Sequence, residues 1–169
     1  MFNEVNIMRT LGYNKGLMNF YEIHESANSL YIIVEYLKGG DLISRIKKKR
    51  GLKESHVKGL MKNFLEDLVY IHSKHVMHRD IKPENIMFRR KCDGINHGEM
   101  VLIDFGLASF DYVKEYLYAR CGTPGFVAPE VIKHKKGLTY NTKCDIFSAG
   151  IIFYILYLNF LERLLIFLD

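Results

Sequence analysis

Val57, Leu60, Met61, Phe64, Leu65, Leu68 and Ile71 recur at three- and four-residue intervals, and this spacing predicts an amphipathic helix over residues 54 to 72 with one apolar stripe. Ahead of it the pattern shortens to apolar runs. Phe20 to His24 and Leu30 to Leu37 read as two strands joined by a turn at Ser26, Ala27 and Asn28. Gly39 and Gly40 break the second run, and Asp41 is placed to cap a short helix that runs into Lys47 and stops near Gly51. Beyond the long helix, Ile86 to Phe88 and Met100 to Asp104 form a second hairpin across a polar loop containing Asp93 and Gly94. No internal repeat or low-complexity tract interrupts this order.

Ile151 to Leu168 is long and apolar enough to be weighed as a membrane span. Asn159, Glu162 and Arg163 interrupt it, and the uninterrupted part is about ten residues, short of the roughly 20 that a bilayer needs. A helix that is hydrophobic all round belongs in a core instead.

Composition narrows the class to a soluble globular chain, because 49% hydrophobic and 25% charged residues with only 3 Pro suit a packed core, and 169 residues allow one domain. Cys92, Cys121 and Cys144 are odd in number, far apart and without a CxxC pair, so neither a zinc site nor a disulfide framework is indicated. Reduced thiols point to a cytoplasmic protein, and the first 30 residues carry no secretion signal. The net charge of +5 comes largely from Lys47, Lys48, Lys49 and Arg50 and from the cluster between Lys133 and Lys136. Neither run is interleaved with aromatic residues and each abuts a turn, which favours a solvated face over a nucleic-acid or lipid surface. His72, His75 and His78 have a spacing that metal ligands can show. The apolar stripe ends near Ile71, so the three are not expected to share a helical face.

Two further stretches carry chemistry. Residues 78 to 85 read HRDIKPEN, and residues 104 to 106 read DFG directly after Met100, Val101, Leu102 and Ile103. A hydroxyl attacking the terminal phosphate of ATP needs a proton acceptor, counter-charge and rigid positioning, with little covalent help. Asp80 fits the acceptor role, and Lys82 can place positive charge on the transferring group. Asn85 offers an amide oxygen and Asp104 a carboxylate, a pair suited to magnesium, which takes hard oxygen ligands and keeps several waters.

Together with CGTPGFVAPEV at 121 to 131, these motifs resemble the eukaryotic protein kinase family, and the resemblance covers about residues 1 to 158. The spelling of that segment and of YNTKCDIFSAGIIFYIL is most similar to calcium/calmodulin-dependent and calcium-dependent kinases. The resemblance implies an α+β protein-kinase-like fold. Its small lobe is partial, a remnant of the regulatory helix at Glu4 to Leu11 and a strand pair, and its large lobe is incomplete and mainly helical. It implies phosphorylation of protein serine or threonine, with ATP and Mg2+ as cofactors, Asp80, Lys82, Asn85 and Thr123 as catalytic residues, and Asn85 and Asp104 as metal ligands. By the same resemblance Val34 is the gatekeeper, Glu35, Tyr36 and Leu37 form the hinge near 35 to 40, and Leu42 and Met87 lie beneath adenine. Asp41 joins the nucleotide-side residues with Asp104, and with Glu84 it would face substrate residues upstream of the acceptor and favour arginine. Met8, Phe20, Phe105 and His78 would stack between the lobes, although ordinary core is an equal reading of Leu42, Met8 and Phe20. Asp145 would hold the catalytic-loop backbone, and Ile152 and Leu156 would anchor the ATP-side column.

The departures are equally specific. No glycine-rich loop and no strand lysine stand ahead of Glu4, the residue that would pair with that lysine, and residues 159 to 169 form an apolar tail without family counterpart. Whole kinase domains need about 250 residues, so the chain is expected to be N- and C-terminally incomplete and weakly active or inactive by itself. The alternative is a non-catalytic kinase-fold fragment or pseudokinase that acts by binding partners. Ala119 stands four residues before Thr123, where related kinases carry a phosphothreonine, which implies control by a partner or tail. No DxDxDG loop is present, so a calcium-linked regulator would need parts outside these residues.

Overall fold

The protein is described here by a computed structural model covering residues 2–48, 52–91, 99–113, 118–135 and 138–166. It opens with helix α1 (Phe2–Leu11) and the antiparallel pair β1 (Phe20–Glu25) and β2 (Leu30–Val34), in register from Glu22 against Ile33 to Glu25 against Leu30, with a shift between Glu22 and Phe20, which faces Val34. Ser26 closes the turn, its backbone N–H donating to the Ser29 carbonyl at 2.8 Å. The second strand is shorter than its apolar run implies. From Lys38 onward the backbone changes partner: Lys38 and Gly39 donate to the carbonyls of Arg89 and Phe88, and Phe88 donates to that of Gly40. A Cβ on Gly39 would come within 2.4 Å of the Phe88 carbonyl oxygen, so this crossing requires glycine.

Helix α2 (Leu42–Lys48) starts where Asp41 caps it, with the Ser44 N–H donating to Asp41 Oδ1 at 2.7 Å and the Ser44 hydroxyl to Oδ2 at 2.6 Å. Helix α3 (Glu54–Ser73) buries Val57, Leu60, Met61, Phe64, Leu68 and Ile71 as its spacing predicts. Leu65 departs from the expectation, being 40% exposed, while Asp67 is 5% exposed. The helical period explains both, since Leu65 lies about 100° round from Phe64 and Asp67 falls back within the stripe, four residues before Ile71.

After α3 come β3 (Val76–Met77), a 3-10 turn at Pro83–Asn85, β4 (Ile86–Phe88), β5 (Met100–Leu102), β6 (Ser109–Phe110), the short helix α4 (Pro129–Ile132) and helix α5 (Lys143–Ile166). β4 and β5 form the expected hairpin, Ile86 against Leu102 through Phe88 against Met100, and its Asp93–Gly94 turn lies outside the described residues. β3 pairs with β6, two two-residue strands too short to leave a periodic signal. The chain is thus α+β, with a helical bulk and three separate two-stranded sheets among the described residues. α3 packs on α5, and Phe64, Leu68 and Ile71 share one core with Ile152, Leu156, Ile86, Phe88 and Phe105. α5 starts where the Lys143 N–H donates to Asn141 Oδ1 at 3.0 Å. As far as residue 158 it buries one side only, for Ile146, Phe147, Phe153 and Tyr154 are 40% or more exposed. No helix among the described residues is long and apolar enough to cross a membrane.

Candidate active site

The loop between β3 and β4 is anchored from below. Asp145, fully buried on α5, accepts the backbone N–H of His78 at Oδ2 and that of Arg79 at Oδ1, both at 2.9 Å, and it also meets His72 Nε2 at 2.9 Å. This grip holds Arg79 at φ 68°, a left-handed conformation that costs a non-glycine residue about 1–3 kcal/mol and persists only where its surroundings fix it. Asp80 follows, and three side chains converge on it. Thr123 donates its hydroxyl to Asp80 Oδ1 at 2.6 Å, Lys82 Nζ lies 2.8 Å from Oδ2, and Asn85 Nδ2 donates to the Asp80 carbonyl at 2.9 Å and to Oδ2 at 3.2 Å. Lys82 also donates to Thr123 Oγ1 at 2.9 Å. Asp80, Lys82, Asn85 and Thr123 therefore form one connected cluster. Burial pushes the Asp80 carboxyl up, but the hydrogen bonds from Lys82 and Thr123 outweigh it and hold the group ionised below the usual carboxylate range. The bond to Asp80 raises Lys82 in turn.

Thr123 arrives on a segment that crosses the loop closely. Gly122 has φ 111°, and a Cβ there would lie 2.3 Å from Val127 Cγ2 and 2.8 Å from the Arg79 carbonyl oxygen. Only glycine fits the crossing.

Asp104 is brought to the same edge by backbone pairing. Ile103 N–H donates to the Asn85 carbonyl at 3.0 Å, which sets the end of β5 beside the catalytic loop. Asp104 takes φ 64°, and its exposed carboxylate accepts the Gly106 N–H at 3.1 Å. Asn85 uses its amide N–H groups on Asp80, leaving its oxygen as the end suited to a cation. From the other side Glu4 on α1 lies in the field of Asp104; burial first and that neighbouring acid second push its carboxyl above the ordinary range. The Asp104 carboxylate and the Asn85 amide oxygen are donors of the kind a hard cation takes.

The stretch expected to form the hinge runs beside β4 at residues 38 to 40. Leu37 is buried, Val34, Glu35 and Met87 are half-buried, and Asp41 forms an isolated bridge to Met87. Both Asp41 oxygens are engaged by Ser44, which together with the neighbouring N–H groups holds the carboxyl below its ordinary range. Leu42 and Met8 join the main core with Phe105, and Phe20 packs against it. His78 meets Phe105 edge-on with centroids 5.0 Å apart and reaches the Ile103 carbonyl at 3.0 Å. The three histidines thus go separate ways, His75 turning to Asp111 at 3.2 Å.

A family model describing the protein kinase domain matches residues 1–161. The chain belongs to the protein kinase family. It is 37% identical over 155 residues to calcium-dependent protein kinase 6 of Plasmodium berghei, covering 91% of this chain and 10% of that protein. It is 36% identical over 153 residues to calcium-dependent protein kinase 5 of Plasmodium falciparum, covering 90% and 26%. Against serine/threonine-protein kinase cds1 of Schizosaccharomyces pombe the identity is 36% over 157 residues, covering 90% and 33%. The chain spans a third or less of each of these relatives.

Two parts of this kinase site gave no signal in the sequence. Arg89, at the end of β4, pairs with Glu35 through Nη1 and with Glu99 through Nε at 3.1 Å, and donates to the Lys15 carbonyl at 2.8 Å. Asn19 donates to Glu35 Oε2 at 2.9 Å, so hinge, β4 and the α1–β1 loop are tied by one charged knot. Tyr140, before α5, accepts from Arg79 Nη1 at 2.8 Å. Isolated polar residues in loops have no period, and only the fold brings these to their partners.

Proposed function

We propose that the protein transfers the terminal phosphoryl group of ATP to serine or threonine hydroxyls of other proteins. The observation that carries the reading is the Asp80 cluster: an ionised carboxylate that already accepts a threonine hydroxyl at 2.6 Å, with an ammonium 2.8 Å from its other oxygen. Asp80 would orient the attacking hydroxyl and receive its proton, and Lys82 would meet the charge on the transferring group. Asn85 and Asp104 would hold magnesium, which when bound supplies counter-charge to the phosphates. Val34, Glu35, Leu37 and Met87 would border adenine, with the hinge held by Arg89. Lys82 beside Thr123, and the names of the relatives, support serine or threonine over tyrosine. Glu84 is exposed beside the cluster and would favour arginine upstream of the acceptor, whereas Asp41 is occupied as a helix cap. A reducing compartment such as the cytoplasm suits the free thiols of Cys121 and Cys144, and a calcium-linked regulator is the control that the Plasmodium relatives' names suggest.

On this reading residues 1–169 supply the catalytic-loop and metal-holding residues, and none of them forms a glycine-rich loop. Positioning and electrostatics carry most of the rate in phosphoryl transfer, so this stretch alone should turn over barely, if at all. Transfer of labelled phosphate to a basic serine peptide tests both points. A chain joined to a glycine-rich loop and lysine should be active and should fall silent with Asp104→Asn. Activity of residues 1–169 alone that depends on Asp80 would overturn the expectation of weak turnover, and an inactive joined chain would favour a pseudokinase.

A further inference from the structure

The loop between α1 and β1 meets α3 at a residue that has no side chain. Gly16 is buried, and a Cβ there would lie 1.8 Å from Asp67 Cγ and 1.9 Å from both carboxyl oxygens. The acid of α3 thus fills the space that a side chain at position 16 would need. The links that dock the loop leave from the same two residues. The Gly16 carbonyl accepts the Leu102 N–H at 2.8 Å, the Lys15 carbonyl accepts Arg89 Nη2 at 2.8 Å, and the Met18 N–H donates to the Leu102 carbonyl at 3.1 Å. Within the loop the Gly16 N–H donates to Asn14 Oδ1 at 2.8 Å. Asp67 is 5% exposed, and no described residue donates a hydrogen bond to its carboxyl. The charged groups that act on it are Lys15, exposed on the loop, and Glu66 beside it on α3. A buried carboxyl without donors is stable as the neutral acid and costly as the anion. Burial accordingly pushes this one up to about 7.

We propose that Asp67 is an acid-operated latch: protonated, it lets residues 14 to 17 lie against α3 and β5, and on losing its proton to solvent it favours their lifting away, so that water and the Lys15 ammonium reach the carboxylate. In the lifted loop the carboxyl returns to its ordinary value of about 3.9, so opening releases a proton between about pH 4 and 7 and becomes easier across that window, by up to about 10³-fold. Above 7 both forms are ionised and pH has no further effect. Because the Lys15 carbonyl also holds Arg89, which pairs with Glu35, opening takes one support from the stretch that follows β2. The latch is independent of the reading of Asp80 as a catalytic residue.

Amide exchange in residues 1–169, corrected for the intrinsic dependence of exchange on pH, reads the latch at the Met18 and Leu102 N–H groups, which opening releases. In wild type the corrected rates should rise by up to about tenfold per pH unit to pH 7 and level off above it. They should stay slower at Phe64 and Leu68 of α3, which report global unfolding. Asp67→Asn keeps the shape and cannot ionise, so its rates at Met18 and Leu102 should be slow and flat. Gly16→Ala displaces the carboxyl from its place, and its rates should be fast and flat. A flat wild-type profile, or a slope that survives Asp67→Asn, would overturn the inference. So would equal rates at Met18, Leu102, Phe64 and Leu68 at every pH, because opening would then be global. If Asp67→Asn does not fold, Asp67→Ala decides by the same criterion: a flat profile supports the latch and a persistent slope refutes it. Exchange needs no turnover, so an inactive chain leaves these outcomes as they stand.

Discussion

Asp67 shows what one carboxylate does when helical period puts it where an apolar side chain belongs. It lies against Gly16, close enough that a Cβ there would fall 1.8 Å from its Cγ. Burial pushes its pKa up to about 7, Lys15 counteracting and Glu66 adding to the rise. Between about 3.9, the unfolded value, and 7, the folded chain keeps a proton that the unfolded chain releases. Its contribution is therefore intact below about pH 4 and is lost as pH rises to 7, a fall of up to about 4 kcal/mol. Asp67→Asn should match wild type near pH 4 and exceed it at pH 8 in urea unfolding; parallel pH profiles would contradict this. The side chains of the Asp80 cluster were legible because the proposed chemistry constrains order and spacing: Asp80, Lys82 and Asn85 lie in one loop and do meet. Asp67, Arg89 and Tyr140 were not legible, since burial of a lone polar residue depends on chain segments far away in sequence.

At the scale of elements, α2, α3 and both hairpins could be read from period and caps, α1 came only from the family resemblance, and the errors lie at ends where the backbone changes partner. β2 stops at Val34 because residues 38–40 pair with β4, a tertiary event that an apolar run cannot announce. The same crossing brings Glu35 to Arg89, which clamps this stretch to the end of β4. Arg89 and Glu35 are both largely buried at their side chains, so Arg89→Met leaves a half-buried carboxylate without its partner. We expect a loss of about 2 kcal/mol, and Glu35→Gln to add little in that background, because the two act as one unit. A loss below about 0.5 kcal/mol, or simple additivity, would remove the clamp from the account.

For the molecule as a whole, burial is uneven. Val57, Met61, Leu65, Ile146, Phe153 and Tyr157 line an apolar groove of about 650 Å³ between α3 and α5, and Phe147 and Tyr154 of α5 are also exposed. Soluble monomers rarely leave a face of this kind open, so residues 1–169 in isolation should self-associate, with a sedimentation coefficient that rises with concentration. A monodisperse monomer with a cooperative melt would contradict that. The sequence marked α5 as a core helix from its composition, but composition carries no information on how many neighbours cover a helix. The Asp80 cluster is assembled by the whole fold: Asp145 from α5 grips the loop, Gly122 lets Thr123 cross it, and β5 delivers Asp104. The most direct measurement of its purpose is single-turnover phosphoryl transfer, with magnesium-ATP affinity measured alongside, in the chain joined to a glycine-rich loop and lysine and in its Asp80→Asn variant. The account predicts that the rate falls by about 10²–10⁴, the range for a positioned proton acceptor, while affinity stays within about threefold. An Asp80→Asn protein that transfers phosphate at the wild-type rate would contradict it.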